Sequence, residues 1–388
     1  MLLVNLTSFA SVVLCERSSP VSMCNRCTRF TKSSITRFAA LWDAGDKAIR
    51  RGIILLARAK LLNPDTSQIE NLNNDQKLAC LCQRLPIEFN LTTYIAQANE
   101  RKQVEGHMRV CLKIDATFES MVTVSASEPL LSEAAYTVMS HPSFNIPKAL
   151  KTVMEGFSIN KGDRGEFVVM LLFITACDKG VGPPNNQGSP TSRFLRVDQF
   201  LTGSLFRDPP ESQSLHGDFA NSYMYFNHYV KVHEFAGIDA ESLLLLSSRG
   251  AAVLCANNQH AIDGINPFLY RGTKLCYDNL GLILWQSKNN ASYTDEPKPS
   301  LFAAMDPYDL EILKEHDDPI PLIKIVFALA VKTRSTMVIR QSASAEYNAV
   351  VYEIWCAGIL PDIFGSIAID QVVCVNSGHC NCTRGRYT

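Results

Sequence analysis

The sequence predicts an α+β (α/β) protein in which helices flank a mixed central sheet, with a mostly helical region at the N-terminal side. Three observations favour this fold class. The chain has 388 residues, of which 46% are hydrophobic, so it can build a sizeable core. Its first half contains segments whose apolar residues recur at helical spacing. From residue 251 the pattern changes to short apolar segments between turn residues, which is typical of strands.

Helical signals come mostly before residue 251. The segment 39–62 spaces its apolar residues as an amphipathic helix does and places lysines and arginines on the other face. Residues 165–178 are almost all apolar near their centre, which predicts a helix covered nearly all round. Further helices are predicted at 129–140, at 147–156 with Pro147 in its first turn, at 217–235 with Asp218 as N-cap, and at "DAESLLLLSS", ending at Gly250.

Strand signals follow Gly250. The segments "AAVLCANN", "IDGINPFLY" and "LGLILWQSK" are short, apolar and separated by turn residues. Two more apolar segments, "PLIKIVFALAV" at 321–331 and "NAVVYEIWCAG" at 348–358, have the length and composition of buried strands. Helices followed by a run of strands indicate one α+β or α/β domain with a mixed sheet.

These patterns divide the chain into four parts. Residues 1–38 are rich in Ser, Thr and Cys without a period, and we expect poor order there. Residues 39–156 form a mostly helical region that fits the remnant of an upstream domain. The sheet domain spans 157–370, with a hydrophilic, Pro- and Gly-rich insertion near 180–250. Residues 371–388 form a tail.

Composition bounds the function classes. The net charge of −1 argues against a nucleic-acid-binding surface spread over the whole protein, although a local basic groove remains compatible with it. Most of the 13 cysteines lie inside apolar runs, which favours buried free thiols in an intracellular protein, with the nucleus as one option. No apolar run is long enough for a membrane helix, so we expect no membrane partner.

Two groups of potential zinc ligands lie near the ends of the chain. Cys24 and Cys27 are near the N-terminus, and His379, Cys380 and Cys382 are near the C-terminus. C-x-C is not the usual spacing of zinc ligands, and the two groups are far apart in sequence, so we do not predict a zinc site.

Three polar residues at strand ends carry the main functional prediction. Strand residues two apart point to the same face, so Gln286 and Lys288 project together at the end of "LGLILWQSK". A turn through "RGTKLCYDN" would pair this strand with the one before it and bring Asp263 beside Gln286. Carboxylate and amide oxygens are ligands that suit Mg²⁺. We therefore predict a metal site formed by Asp263 and Gln286, with Lys288 stabilising charge on a phosphate.

The same residues carry a resemblance to a known superfamily. An aspartate on one strand and a second strand ending Glu/Asp/Gln-x-Lys resembles the PD-(D/E)xK nucleases. "QHAIDGI" followed by "WQSK" looks most like their Mrr-type branch, in which Gln-x-Lys replaces Glu-x-Lys. The resemblance implies a restriction-endonuclease-like fold, Mg²⁺ (or Mn²⁺) as cofactor and DNA as substrate. It also implies an acidic residue on the helix before the strands, and the candidate is Glu166. The catalytic candidates are then Asp263, Gln286, Lys288 and Glu166.

A wider resemblance spans roughly residues 100–360. The pieces "SEPLLSEAAY", "GDRGEFV", "RGAAVLCANNQ" and "YEIWCAG" are similar to mobile-element-associated protein families of fungal genomes, related to the Crinkler and retrotransposon-hot-spot groups. Such proteins often join a nuclease-like domain to an upstream P-loop ATPase. This chain departs from that pattern, because it contains no G-x-x-x-x-G-K-[ST] motif and hence no nucleotide-binding P-loop.

Each candidate residue also has a purely structural interpretation. Asp263 is followed by glycine, which is a favoured turn pair, while Gln286 and Lys288 fit a solvated strand end. Asp163-x-x-Glu166 has the spacing of a capping box, which would make Asp163 an N-cap and explain both acids. Two functions therefore remain open: a metal-dependent nuclease acting on DNA, or a catalytically degenerate nuclease-like fold that binds nucleic acid or protein. The oligomeric state stays open as well.

Overall fold

The computed structural model describes twelve stretches of the chain: residues 47–63, 68–89, 94–116, 121–156, 161–182, 194–207, 209–234, 237–314, 320–331, 336–343, 349–359 and 363–364. The expected poor order of 1–38, the tail 371–388 and both groups of potential zinc ligands lie outside these stretches.

The described part is a mixed α and β structure, as the sequence predicts. Its helices are α1 Lys47–Leu62, α2 Asn74–Arg84, α3 Tyr94–Gly106, α4 Pro129–Met139, α5 Ile146–Gly156, α6 Lys161–Val181, α7 Val197–Gln199, α8 Ser212–Phe219, α9 Ala240–Ser248 and α10 Pro299–Ala304. Helix α7 continues as a π-helical turn over Phe200–Leu205.

The strands form a small hairpin and one large sheet. The hairpin consists of β1 Arg109–Ile114 and β2 Met121–Ser125. The large sheet contains β3 Leu195–Arg196, β4 Tyr223–Met224, β5 His228–Lys231, β6 Ala251–Leu254, β7 Gly264–Leu269, β8 Leu280–Lys288, β9 Leu322–Ala328, β10 Thr336–Ala343 and β11 Val350–Ala357.

The large sheet is mixed, because it contains both parallel and antiparallel strand pairs. Its main strand order is β10-β11-β9-β8-β7-β4-β3, and β6 pairs with β7 as well as with β5. The three strands β6, β7 and β8 pair antiparallel in sequence order, as their turn-separated pattern predicts. Strand β8 then pairs parallel with β9 after a crossover that contains α10. The stretch near 180–250 contributes β3, β4 and β5, so it is part of the same sheet.

The sheet separates two hydrophobic layers. On one face, Ile283 and Trp285 of β8 pack in the same cluster as Leu81 of α2 and Phe173 of α6. On the other face, Leu284 belongs to a smaller cluster under α9 and α10. Because neighbouring strand residues point to opposite faces, each layer takes alternate residues of β8. The alternation decides which polar side chains at the end of β8 can meet.

Helix α6 is the centre of the first layer. All residues from Phe167 to Ile174 are buried, which confirms the helix predicted over 165–178. The helix begins earlier than the capping-box spacing suggests. Since Lys161 is already helical, Asp163 lies in the first turn instead of acting as N-cap, and Glu166 lies about one turn further in. The capping explanation of this acid pair is therefore wrong.

The helix predicted at 217–235 is also wrong. Helix α8 ends at Phe219, and the chain continues into the short strands β4 and β5, so Asp218 is no N-cap. Three aromatic residues of this segment belong to the hydrophobic core. Phe219 and Phe226 are buried, and Tyr229 is buried on β5. Burial on a strand overrode helical spacing here, as tertiary context often does.

Arg84 at the end of α2 is a buried charge that joins three elements. Its guanidinium donates two hydrogen bonds to the carboxylate of Asp178 on α6, at 2.5 and 2.8 Å. Its Nε donates to the backbone carbonyl of Asn227, just before β5, at 2.8 Å. A bidentate arginine–carboxylate pair is among the strongest charge-assisted contacts. Arg84 therefore fixes α2, α6 and the edge of the sheet relative to one another.

None of the described helices combines the length and the apolar character that crossing a membrane would require.

Removing the Arg84 side chain tests this linkage. We expect Arg84→Met to lower the free energy of unfolding by roughly 3–5 kcal/mol, because Asp178 would keep a charge without its buried partner. Replacing both residues, Arg84→Met with Asp178→Leu, should restore much of that loss. Lys102→Met is the matched control, since Lys102 pairs with Asp75 on the surface, and should cost at most about 1 kcal/mol. Urea unfolding of all four proteins measures these values. An Arg84→Met effect as small as that of Lys102→Met would contradict the prediction.

Candidate acidic site at the end of the sheet

Asp263 stands at the entrance of β7, beside the end of β8. Gly264 pairs with Trp285, and the Asp263 amide also donates to the Trp285 carbonyl, at 2.9 Å. Two successive residues thus oppose one residue of the neighbouring strand, as in a β-bulge, which redirects a side chain. The carboxylate Oδ2 of Asp263 accepts hydrogen bonds from the Ser287 amide at 2.7 Å and from the Ser287 hydroxyl at 2.8 Å.

The glycine after Asp263 is required by packing. A Cβ atom at Gly264 would collide with the Trp285 ring and approach the Val253 carbonyl to 2.7 Å. The Asp-Gly pair is therefore no turn; its glycine lets the large indole lie across the strand. The indole in turn donates from Nε1 to Asn266 Oδ1 at 2.9 Å, which satisfies its buried N–H group.

The first turns of α6 pack directly onto the end of β8. A Cβ atom at Gly165 would lie 3.3 Å from the Ser287 hydroxyl and 3.3 Å from the Asn289 Cβ. This close approach places the next residue, Glu166, in the same region as Asp263. Glu166 and Asp263 are 97 positions apart in sequence, so only the fold brings these two acids together.

The two carboxyl groups share a poorly solvated region. Burial, helped by the charges of Asp263 and Asp163 and opposed by Lys231, raises the pKa of Glu166 to about 8. Burial also raises the pKa of Asp263, but the hydrogen bonds from Ser287 and the charge of Lys288 oppose that rise. With a pKa of about 8, Glu166 retains its proton near neutral pH.

Lys288 belongs to this electrostatic group, although no direct ion pair joins it to Asp263 among the described residues. Burial lowers the pKa of Lys288, and the charge of Asp263 partly restores it. A half-buried lysine close to a carboxylate is available for an additional anionic partner.

Gln286 is separated from this group. It belongs to the set of β8 residues, with Leu282 and Leu284, that faces the second hydrophobic layer, whereas Trp285 and Ser287 face the first. Its side chain is only 5% exposed, and within the described part of the chain its Oε1 has no hydrogen-bond partner. No contact with Asp263 is present there. The structure thus places Asp263 within electrostatic reach of Glu166 and of Lys288, while its direct partner is Ser287, the residue between Gln286 and Lys288.

Sequence reasoning missed several residues of the site. Ser287 was not among the candidates, because strand alternation turns it away from Gln286 and Lys288, and the irregular pairing that turns Asp263 towards it has no sequence signature. Gly165 allows α6 to approach the end of β8 closely. A glycine inside a helical pattern is a sequence signal that could have indicated this contact. Lys231 was placed on a helix that is a strand in the structure.

Residues 76–352 match the protein family described as Domain of unknown function (DUF8736), which is well over half of the chain. The chain belongs to this family. All residues of the acidic site lie within the DUF8736 region. No curated protein and no solved structure matches the chain.

The pH dependence of stability tests the burial of Glu166. Its folded pKa, about 8, lies above the ordinary value of 4.5, so the folded state keeps a proton that the unfolded state releases between these pH values. Stability should therefore fall as pH rises from about 4.5 to 8. Glu166→Gln has no such proton, and we expect its advantage over the wild type to grow to roughly 1–3 kcal/mol by alkaline pH, after allowance for partial solvation. Chemical unfolding across this range measures the difference, and parallel curves would contradict the prediction.

Proposed function

We propose that this DUF8736 chain is a metal-dependent phosphodiesterase acting on DNA, with Asp263 and Glu166 as the cation-binding acids. One observation carries the proposal. The acid predicted on the helix before the strands and the acid predicted on the strands share one region, and Lys288 acts electrostatically on the second of them. These two acids and the lysine are three of the four residues that the PD-(D/E)xK resemblance implies, the fourth being Gln286.

The residues present fit a hard divalent cation. Mg²⁺ often uses only one or two carboxylates and completes its shell with water and substrate phosphate, so two acids suffice. Both hydrogen bonds to Asp263 end on Oδ2, and none reaches Oδ1 from the described residues. Burial, together with the charges of Asp263 and Asp163, holds a proton on Glu166, and a bound cation would favour the ionised carboxylate instead. No group of three or more acidic, His or Cys side chains in the described ranges is arranged around a common metal position.

The roles of the residues follow from their positions. Mg²⁺ or Mn²⁺, when bound, supplies a water of lowered pKa and polarises the phosphate. Ser287 orients Asp263 through two hydrogen bonds, and Lys288 stabilises the negative charge that develops on the phosphate. Gln286, proposed from sequence as a second ligand, faces the other layer, so Glu166 takes its place in this proposal.

A cleavage assay on supercoiled plasmid with Mg²⁺ or Mn²⁺ tests the proposal. We expect Asp263→Asn and Lys288→Met each to lower the rate by roughly 10²–10³, because each removes a charge in a water-poor site. Met keeps most of the apolar stem of Lys288, so the fold should survive that change. Thermal unfolding of each variant separates a lost role from a lost fold.

Gln286→Met is the matched control for these variants. It lies on the same strand and removes a buried acceptor without a partner, so we expect stability to be unchanged or higher and cleavage to persist. Loss of cleavage in a folded Gln286→Met protein would return Gln286 to the site and overturn the assignment of Glu166.

The second candidate is a degenerate nuclease-like module that binds nucleic acid without cutting it. The orientation of Gln286 and the engagement of Asp263 by Ser287 favour it, since both remove oxygen ligands from the predicted set. A wild-type protein that cleaves nothing with either metal and binds no Mn²⁺ in calorimetry, but shifts DNA in a gel, would establish this candidate instead.

A further inference from the structure

A second charged group lies at the same end of the sheet. Lys231 is the last residue of β5, and His233 follows it by two positions. Strand alternation places Lys231 on the same face as Tyr229, which packs in the first hydrophobic layer with Trp285 and α6. Strand β5 pairs with β6, and the residue after β6, Cys255, donates its amide to the Asp263 carbonyl. Lys231 and His233 therefore border the acidic site on the side away from β8.

Both side chains contact one carboxylate, that of Glu88. Lys231 Nζ donates to Glu88 Oε2 at 2.5 Å, and His233 Nδ1 lies 3.7 Å from Glu88 Oε1. The Lys231 side chain is 11% exposed, whereas that of Glu88 is 48% exposed. Lys231 is thus mostly buried in the fold, whereas Glu88, on the segment after α2, contacts it from the solvent side.

The group acts on the acidic site. Lys231 lowers the pKa of Glu166 and Glu88 raises it, so both charges are felt there. The Glu88 carboxylate is itself an oxyanion, so its hydrogen bond to Lys231 and its proximity to His233 indicate the kind of group that this pair can accommodate. The oxyanions that must reach a phosphodiesterase site are the phosphates on either side of the one that is cleaved.

We propose that Lys231 and His233 form a subsite for a backbone phosphate of DNA, and that Glu88 fills this subsite until DNA displaces it. The proposal rests on the phosphodiesterase function and names a substrate-binding element of the same site. Glu88 then acts as an internal competitor. Its removal increases the affinity for DNA, and removal of Lys231 decreases it.

DNA binding without metal tests this inference separately from cleavage. The probe is a fluorescein-labelled duplex of about 20 base pairs, a length that covers a site of ordinary size, in EDTA buffer, with anisotropy read at several salt concentrations. We expect Glu88→Gln to tighten binding roughly fivefold at low salt. The slope of log affinity against log salt concentration should become steeper by about one unit, because Lys231 then neutralises one more DNA phosphate. Lys231→Met should weaken binding, and the Glu88→Gln gain should vanish in the Lys231→Met background.

Asp75→Asn is the matched control. It makes the same change in net charge and also releases a lysine, Lys102, from an ion pair, but at the opposite end of α2. We expect no gain in DNA affinity from it. An equal gain from Asp75→Asn and Glu88→Gln would reduce the effect to overall charge and overturn the subsite. A Glu88→Gln gain that persists in folded Lys231→Met protein would overturn it too.

Two further results separate the inference from the function and from free anions. If the plasmid assay shows no cleavage but Glu88→Gln tightens binding through Lys231, the subsite stands and the nuclease proposal falls. If cleavage occurs and Glu88→Gln binds as the wild type does, only the subsite falls. Inorganic phosphate should displace the labelled duplex only at a concentration far above that of the phosphate groups of the duplex. Displacement when free phosphate only equals the phosphate groups of the duplex in concentration would overturn the assignment to a DNA backbone.

Discussion

The buried guanidinium of Arg84 is the contact on which the arrangement of the first layer depends. It is fully buried, and it satisfies its donors with a carboxylate on α6 and a backbone carbonyl at the entrance of β5. These two elements carry Glu166 and Lys231, the residues that approach the acidic site from the helix and from the sheet edge. An ion pair far from the site thus sets the geometry of its charges. Buried charges of this kind are strongly destabilising when one partner is lost, so the linkage tolerates little change.

The parts of the fold that the sequence predicted well share a physical property. Helix α6 and the strands β6 to β9 consist mostly of apolar residues, which must be buried and therefore mark core elements in the sequence. Their positions were predicted to within a few residues. The hairpin β1–β2 and helices α2 and α3 were not predicted. Helices α2 and α3 have mixed polar composition, and the apolar residues Leu112 and Ile114 of β1 stay exposed. Their structure comes from packing and capping, for example the capping box of Asn73 and Gln76, that periodicity does not display.

The site was predicted in part for a similar reason. The position of Asp263 beside the last residues of β8 follows from the antiparallel pairing of β7 and β8, which the apolar patterns indicate. The face on which each side chain lies depends on a single irregularity, the bulge at Asp263, and one residue of slip reverses every facing. Ser287 and Gln286 exchanged roles for that reason. The contribution of Glu88 depends on a contact across 143 positions, which no local pattern contains.

The buried thiols can report how often parts of this protein unfold locally. Burial raises the pKa of Cys82 to about 11 and keeps the thiol pKa of Cys255 well above its ordinary range. Since the thiolate is the reactive form, neither thiol can react with an alkylating reagent while its surroundings stay closed. Alkylation of Cys255 therefore measures how often the strand beside Asp263 detaches, and alkylation of Cys82 measures the same for α2. One labelling experiment thus follows the opening of α2, which carries Arg84, and of the strand beside the acidic site, without any engineered probe.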